Sequence, residues 1–155
     1  MCGIAGIMTR SGAAPENGVL KRLSEALLHR GPDGQGQHLA GAVGMIQTRL
    51  AIIDLETGDQ PLYAPGDGQQ PTAALVANGE IYNYIELKQK MAGTSFATGS
   101  DCEPPLHLYL RHGPDFVNHL RGMYAIAIHD IKADRLVLAR DPFGIKPLYY
   151  CESET

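Results

Sequence analysis

The six residues directly behind the second position constrain this chain more than any other stretch. Gly3-Ile4-Ala5-Gly6-Ile7-Met8 is a short apolar run carrying two glycines, which predicts a buried first strand. Glycine inside a strand lets another backbone approach closely, so a neighbouring segment is expected to pack tightly against it. The same strand holds Cys2 at the mouth of a sheet. Behind it, Val19, Leu20, Leu23, Leu27 and Leu28 recur with helical period between Glu16 and Arg30, predicting a helix with an acidic start and a basic end. Arg30-Gly31-Pro32-Asp33-Gly34-Gln35-Gly36 is dense in turn formers and is expected to be a loop.

Further strands are predicted over 42–47 and 49–53 (two strands or one bent one), 73–77, 123–129 and 136–139, with a last one beginning at 148–151. Turn residues fill the interval through Gly68. Asn78-Gly79-Glu80 is expected to stop the strand at 73–77. Asn-Gly alone signals a hairpin, but 81–87 shows no clean return strand and 83–91 has helical character. Pro104-Pro105 opens a helical run to His112, with acidic residues placed at its positive end. Gly113-Pro114 breaks that run before a second short helix. Strands cluster at both ends, helices lie between, and parallel βαβ alternation is absent, which favours an α+β fold of stacked layers.

Composition narrows the function. A chain of 155 residues, 44% apolar and 19% charged, suits one globular domain. Seventeen acidic against thirteen basic residues give a net charge of −4 without a Lys/Arg cluster, which argues against nucleic acid as a partner. No apolar run is long enough to span a membrane, and the N-terminus lacks the charged and apolar regions of a signal peptide. A cytoplasmic home is expected, where thiols stay reduced. Cys2, Cys102 and Cys151 are too scattered for a disulfide framework. The six histidines have no zinc-binding spacing, and His107 and His112, five apart, fall on different helix faces. No metal is expected.

Two residues stand out chemically. A start methionine before a small residue is usually removed, which would leave Cys2 as the first residue with a thiol and a free α-amine. A free thiol titrates near pKa 8.5 and an α-amine near about 7.7–8.0, so the amine can serve as a base near neutrality. A nucleophile activated by its own terminus needs no histidine or aspartate. Arg49 sits beside the apolar run Leu50-Ala51-Ile52-Ile53, where a lone charge needs a partner.

The ordered runs Met1-Cys2-Gly3-Ile4, Arg30-Gly31-Pro32-Asp33, Arg49-Leu50-Ala51-Ile52-Ile53-Asp54, Gly58-Asp59-Gln60-Pro61-Leu62, Asn78-Gly79-Glu80-Ile81-Tyr82-Asn83 and Arg140-Asp141-Pro142-Phe143-Gly144 resemble the class II glutamine amidotransferases. Residues 78–83 and 140–149 look most like the glutaminase domain of asparagine synthetases. The resemblance implies a four-layer αββα sandwich of the N-terminal-nucleophile hydrolase type, in agreement with the α+β pattern. It implies Cys2 as nucleophile, with Asn78 and Gly79 as oxyanion donors. Arg49 would hold the α-carboxylate of free glutamine, and Asp101 with Glu80 its ammonium group. Each has a structural alternative: a hairpin turn at Asn78-Gly79, an ion pair at Arg49, a helix cap at Asp101. Cys102 stands where relatives usually carry Thr, and Gln47-Thr48 where many carry His and Arg.

The resemblance further implies L-glutamine as substrate, no cofactor for the glutaminase step, and a synthetase domain or subunit as partner that uses ATP and Mg. Nothing in residues 1–155 matches an ATP-binding loop, so the expectation is one glutaminase domain, C-terminally incomplete, without its synthetase domain. Uncovered sheet edges would then favour association or instability, and homo-oligomer formation is left open. Another ammonia acceptor (a sugar phosphate, a phosphoribosyl donor or a specialised amide product) and an inactive fragment are the alternatives.

Overall fold

Two antiparallel sheets lie face to face in the computed structural model, which describes residues 1–66 and 70–153. Strands β1 (Gly3–Met8), β2 (Gly34–Ala40) and β3 (Val43–Arg49) form the first sheet in the order β1-β3-β2. Strands β4 (Leu62–Ala64), β5 (Ala73–Ile81), β6 (Gly122–Asp130) and β7 (Arg135–Arg140) form the second in sequential order. Helix α1 (Asn17–Leu27) covers the outside of the first sheet. Its Leu20 is fully buried, and a Cβ on Gly44 of β3 would lie 2.8 Å from the Leu20 methyls. Helices α2 (Tyr84–Lys90) and α3 (Glu103–His112) cover the second sheet. There Leu87, Leu106 and Tyr109 share one apolar cluster with Leu75, Ala77, Ile126 and Ile128. A separate cluster of Val43, Met45, Ala74, Val76 and Ala127, with Ile4 and Leu136 against it, fills the space between the sheets. The layers therefore run α, β, β, α, as expected.

Side chains alternate faces along a strand, and that alternation builds the site. In β5, Ala73, Leu75, Ala77 and Ile81 face the helices, while Ala74 and Val76 face the other sheet. Continuing the count puts Asn78 and Glu80 on the inter-sheet face. In β3, Val43 and Met45 face inward, which puts Gln47 and Arg49 there too. Ile4 of β1 also packs inward and pairs in register with Gln47, so Cys2, two residues earlier, lies on the same face. At one end of the sandwich the inter-sheet layer thus turns from apolar to polar.

Several boundaries differ from the sequence expectation, each for a physical reason. Strand β5 does not stop at 77 but runs through Asn78-Gly79-Glu80 to Ile81, paired with β6 along its length. These polar residues break the hydrophobic pattern because they line a cleft. The strand expected over 49–53 is absent, because Arg49 Nη2 donates to the carbonyls of Ile53 and Asp54 and turns the chain around its guanidinium. Gly34 and Gly36 belong to β2, not to a loop. A Cβ on Gly36 would lie 1.7 Å from Gln60 O, so glycine there serves close approach. Strand β4 falls within the predicted turn region, whose end at Gly68 lies outside the described residues. Residues 148–151 are not a strand, and Tyr149 and Tyr150 are exposed. Among the described residues no helix is long and apolar enough to cross a membrane.

Candidate active site

Cys2 is fixed by three segments far from it in sequence. Arg30 Nε donates to Cys2 O at 3.2 Å. Gly31 presses against β3 so tightly that a Cβ would lie 2.4 Å from the Thr48 carbonyl carbon. Asp33 ties down the next stretch: its N–H donates to Arg49 O at 2.9 Å, and its carboxylate accepts from Ala51 N–H at 2.9 Å. The loop from Arg30 to Asp33 is therefore a clamp between the chain start and the end of β3. Leu50, held by that clamp, directs its N–H at Cys2 Sγ, 3.4 Å away. On the other side of Cys2, a Cβ on Gly3 would lie 2.8 Å from Thr48 Oγ1 and 3.0 Å from Leu27.

A cleft of about 160 Å³ opens beside the sulfur, and Cys2, Arg49, Asn78, Gly79, Glu80 and Asp101 all line it. All six residues singled out from the sequence therefore meet in one place. A larger concavity of about 760 Å³, lined by His38, Tyr63 and His107 among others, contains none of them.

The edge of β5 supplies the donors. Strand β4 pairs only with residues 73–75, so beyond that point the β5 edge facing away from β6 is free of a strand partner. Ala77 N–H donates off this edge to Gln60 Oε1 at 2.6 Å, and Ile81 N–H donates to Asp101 Oδ2 at 2.7 Å. Backbone N–H groups alternate direction along an antiparallel strand. The Gly79 N–H, midway between those two, points off the same edge toward the cleft. Glycine is also obligatory there for packing, since a Cβ would lie 2.5 Å from Met123 O and 2.7 Å from Tyr124 Cα.

Charges in the cleft are distributed unevenly. Arg49, 7% exposed, pairs through Nη1 with Asp59 at 2.7 Å, while Nη2 holds the two carbonyls of the turn. Asp59 itself is exposed. Burial raises the Asp101 carboxyl above its ordinary range, and the neighbouring Glu80 charge adds to this against the Ile81 N–H. Burial likewise pushes the Cys102 thiol well up, reinforced by Asp101. Three further lining residues escaped the sequence reading: Gln47, Gln60 and Lys146. Gln47 is buried, its Nε2 without a partner among the described residues; a glutamine interrupting the apolar β3 was the available signal. Gln60 and Lys146 carried no signal beyond lying within or beside the quoted motifs.

The full span 1–155 matches the glutamine amidotransferase domain model. The chain is 43% identical over 157 residues to asparagine synthetase [glutamine-hydrolyzing] 2 of Bacillus subtilis, covering 98% of this chain and 20% of that protein. It is 42% identical over 154 residues to asparagine synthetase [glutamine-hydrolyzing] 2 of Arabidopsis thaliana, covering 96% and 25%. The chain thus spans a fifth to a quarter of the length of these curated relatives. Among solved structures, the glutamine phosphoribosylpyrophosphate amidotransferase from B. subtilis superposes with a TM-score of 0.55 at 29% identity, over 70% of this chain and 25% of that one. An allosteric regulatory enzyme of purine biosynthesis superposes with a TM-score of 0.56 at 30% identity and the same coverage. Sequence, layers and cleft agree: the chain belongs to the glutamine amidotransferase domain family, with the sandwich of the N-terminal-nucleophile type.

Proposed function

We propose that this chain hydrolyses L-glutamine to glutamate and ammonia, with Cys2 as nucleophile once Met1 is removed. The observation that carries the reading is the meeting of Cys2, Arg49, Asn78, Gly79, Glu80 and Asp101 in one cleft. The Cys2 α-amine takes the thiol proton, and the resulting thiolate attacks the side-chain amide carbon of glutamine. Negative charge then builds on the amide oxygen, where the Asn78 side-chain amide and the Gly79 N–H are its donors; one such donor is typically worth about 2.7–4 kcal/mol. The Cys2 α-amine passes a proton to the departing nitrogen, ammonia leaves, and a thioester remains. Water, deprotonated by the same amine, opens the thioester to glutamate and restores the thiol.

Substrate selection falls to charge. Arg49 takes the α-carboxylate of glutamine by exchanging its exposed partner Asp59, an ion pair cheap to give up because one member is solvated. Asp101 and Glu80 take the ammonium group. Gripping both ends of the zwitterion selects free glutamine over amide side chains in proteins.

The glutaminase step needs no cofactor. By analogy with the asparagine synthetases it resembles, the ammonia goes to aspartate activated with ATP and Mg by a synthetase domain or subunit in the cytoplasm. The higher identity to those relatives than to the phosphoribosylpyrophosphate amidotransferase favours aspartate over a phosphoribosyl acceptor. In a glutamate-release assay, Cys2→Ala is expected to reduce hydrolysis to background, and intact mass is expected to show Met1 gone. Substantial activity in Cys2→Ala would overturn the assignment.

A further inference from the structure

Lys146 has no part in the scheme above, yet it lines the same cleft as Cys2. It is only 6% exposed, and its Nζ donates to the Met1 thioether at 3.3 Å. A thioether is a weak acceptor and a poor partner for a buried ammonium. The segment carrying Lys146 is held firmly. Asp141 accepts from the N–H groups of Tyr124, Phe143, Ile145 and Lys146 at 2.9–3.2 Å, and Arg140 Nε donates to Lys146 O at 3.0 Å. Four donors on one carboxylate and a guanidinium on the carbonyl fix the backbone from which the ammonium projects.

The group it touches is the residue whose loss matures the site. With Met1 gone, the ammonium keeps its place beside the new terminus and loses its sulfur partner. The neighbouring charges give it a task. Glu80 and Asp101 bring negative charge to the cleft; both favour a protonated amine and oppose a thiolate, the reverse of what hydrolysis requires. Cys102 stays an uncharged thiol. Arg30 is engaged with Cys2 O and Arg49 with Asp59. Of the cationic side chains lining the cleft among the described residues, Arg49 is thus neutralised, and Lys146 is left to oppose the carboxylates.

We propose that Lys146 is a positioning residue for glutamine hydrolysis, its ammonium keeping the α-amine of the mature Cys2 uncharged and free to take the thiol proton, and stabilising the thiolate that this transfer leaves. The proposal rests on the reading of Cys2 as the nucleophile. It is tested on the Met1-free chain as wild type, Lys146→Met and Lys146→Arg, by following Cys2 alkylation with iodoacetamide, in which the thiolate displaces iodide, and locating the label by peptide mass. Over roughly pH 5–9, Lys146→Met is expected to move the midpoint of the Cys2 pH–rate profile up by about one unit and to slow labelling at pH 7 about tenfold. Lys146→Arg is expected to stay within about twofold of wild type, because it keeps the charge.

A Lys146→Met profile that coincides with wild type overturns the proposal. So does Lys146→Arg behaving like Lys146→Met, which would reduce the side chain to packing. Should Lys146→Met fail to fold, the 13Cε resonance of Lys146 in the wild-type chain decides: it is expected to shift when Cys2 is alkylated, and an unmoved resonance overturns the proposal. Failure of the glutaminase reading looks different, with no Cys2-dependent glutamate release while the Lys146 effect on alkylation persists.

Discussion

Asp101 shows how a single residue can be costly to the fold and yet, in the proposed mechanism, serve substrate binding. Burial holds its carboxyl proton to a higher pH than an ordinary aspartate. A raised carboxyl pKa means that the folded chain binds the proton more tightly than the unfolded chain, so stability is lost as pH rises through the folded value. Asp101→Asn removes that cost while keeping an oxygen to accept from Ile81 N–H. It is expected to melt at the same or a higher temperature than wild type at pH 7 while raising KM for glutamine at least about tenfold, the effect of losing a charge-assisted contact. A lower melting temperature with unchanged KM would make the residue structural. Gly79 is the opposite case, where packing and the proposed oxyanion role both call for glycine. With Met123 O 2.5 Å from any added Cβ, Gly79→Ala is expected to cost about 1–3 kcal/mol in urea unfolding, the usual range for forced overpacking.

Between elements, the two sheets are joined by a buried polar contact as well as by apolar packing. His38 Nε2 on β2 lies 2.9 Å from His129 Nδ1 on β6. Burial, with His129 as a second cause, lowers His38 from 6.5 to about 4, and burial also lowers His129. The unfolded chain therefore binds protons that the folded chain refuses, and stability falls as pH drops from about 6.5 toward 4. Thermal melts across that window are expected to show the loss, with a shallower slope in His38→Gln. The strand carrying His38 was illegible beforehand: Gly34-Gln35-Gly36-Gln37 has the composition of a loop, and its Gly36 answers to Gln60, a partner distant in sequence. Asn78-Gly79-Glu80 misled for the related reason that residues lining a cleft break the strand pattern. By contrast, α1, α3 and β6 followed their own periodicity, because each buries an apolar face, and β1 matched its expected bounds although it is a half-buried edge strand rather than a buried one. The six residues of the candidate site were named through family motifs, and only their meeting in one cleft needed the fold.

At the scale of the whole molecule, the described tail is unusually apolar on its surface. Phe143, Ile145, Tyr149 and Tyr150 are 86%, 57%, 89% and 77% exposed, a concentration of the kind that marks contact surfaces. In sedimentation experiments the 155-residue chain is expected to associate as its concentration rises, and Tyr149→Ser with Tyr150→Ser to reduce that association; a monomer at all concentrations would show that the tail is not adhesive. The opposite end of the chain carries a lesson for handling the protein. Met1 lines the cleft and its sulfur rests on Lys146, although the residue as a whole is 59% exposed. In the proposed mechanism, which needs a free Cys2 amine, a purification tag fused in front of that cysteine would start at the cleft and cap the amine. Under the proposed mechanism, a preparation tagged at the front is expected to release no glutamate however well it folds, and removal of the tag up to Cys2 to restore the release.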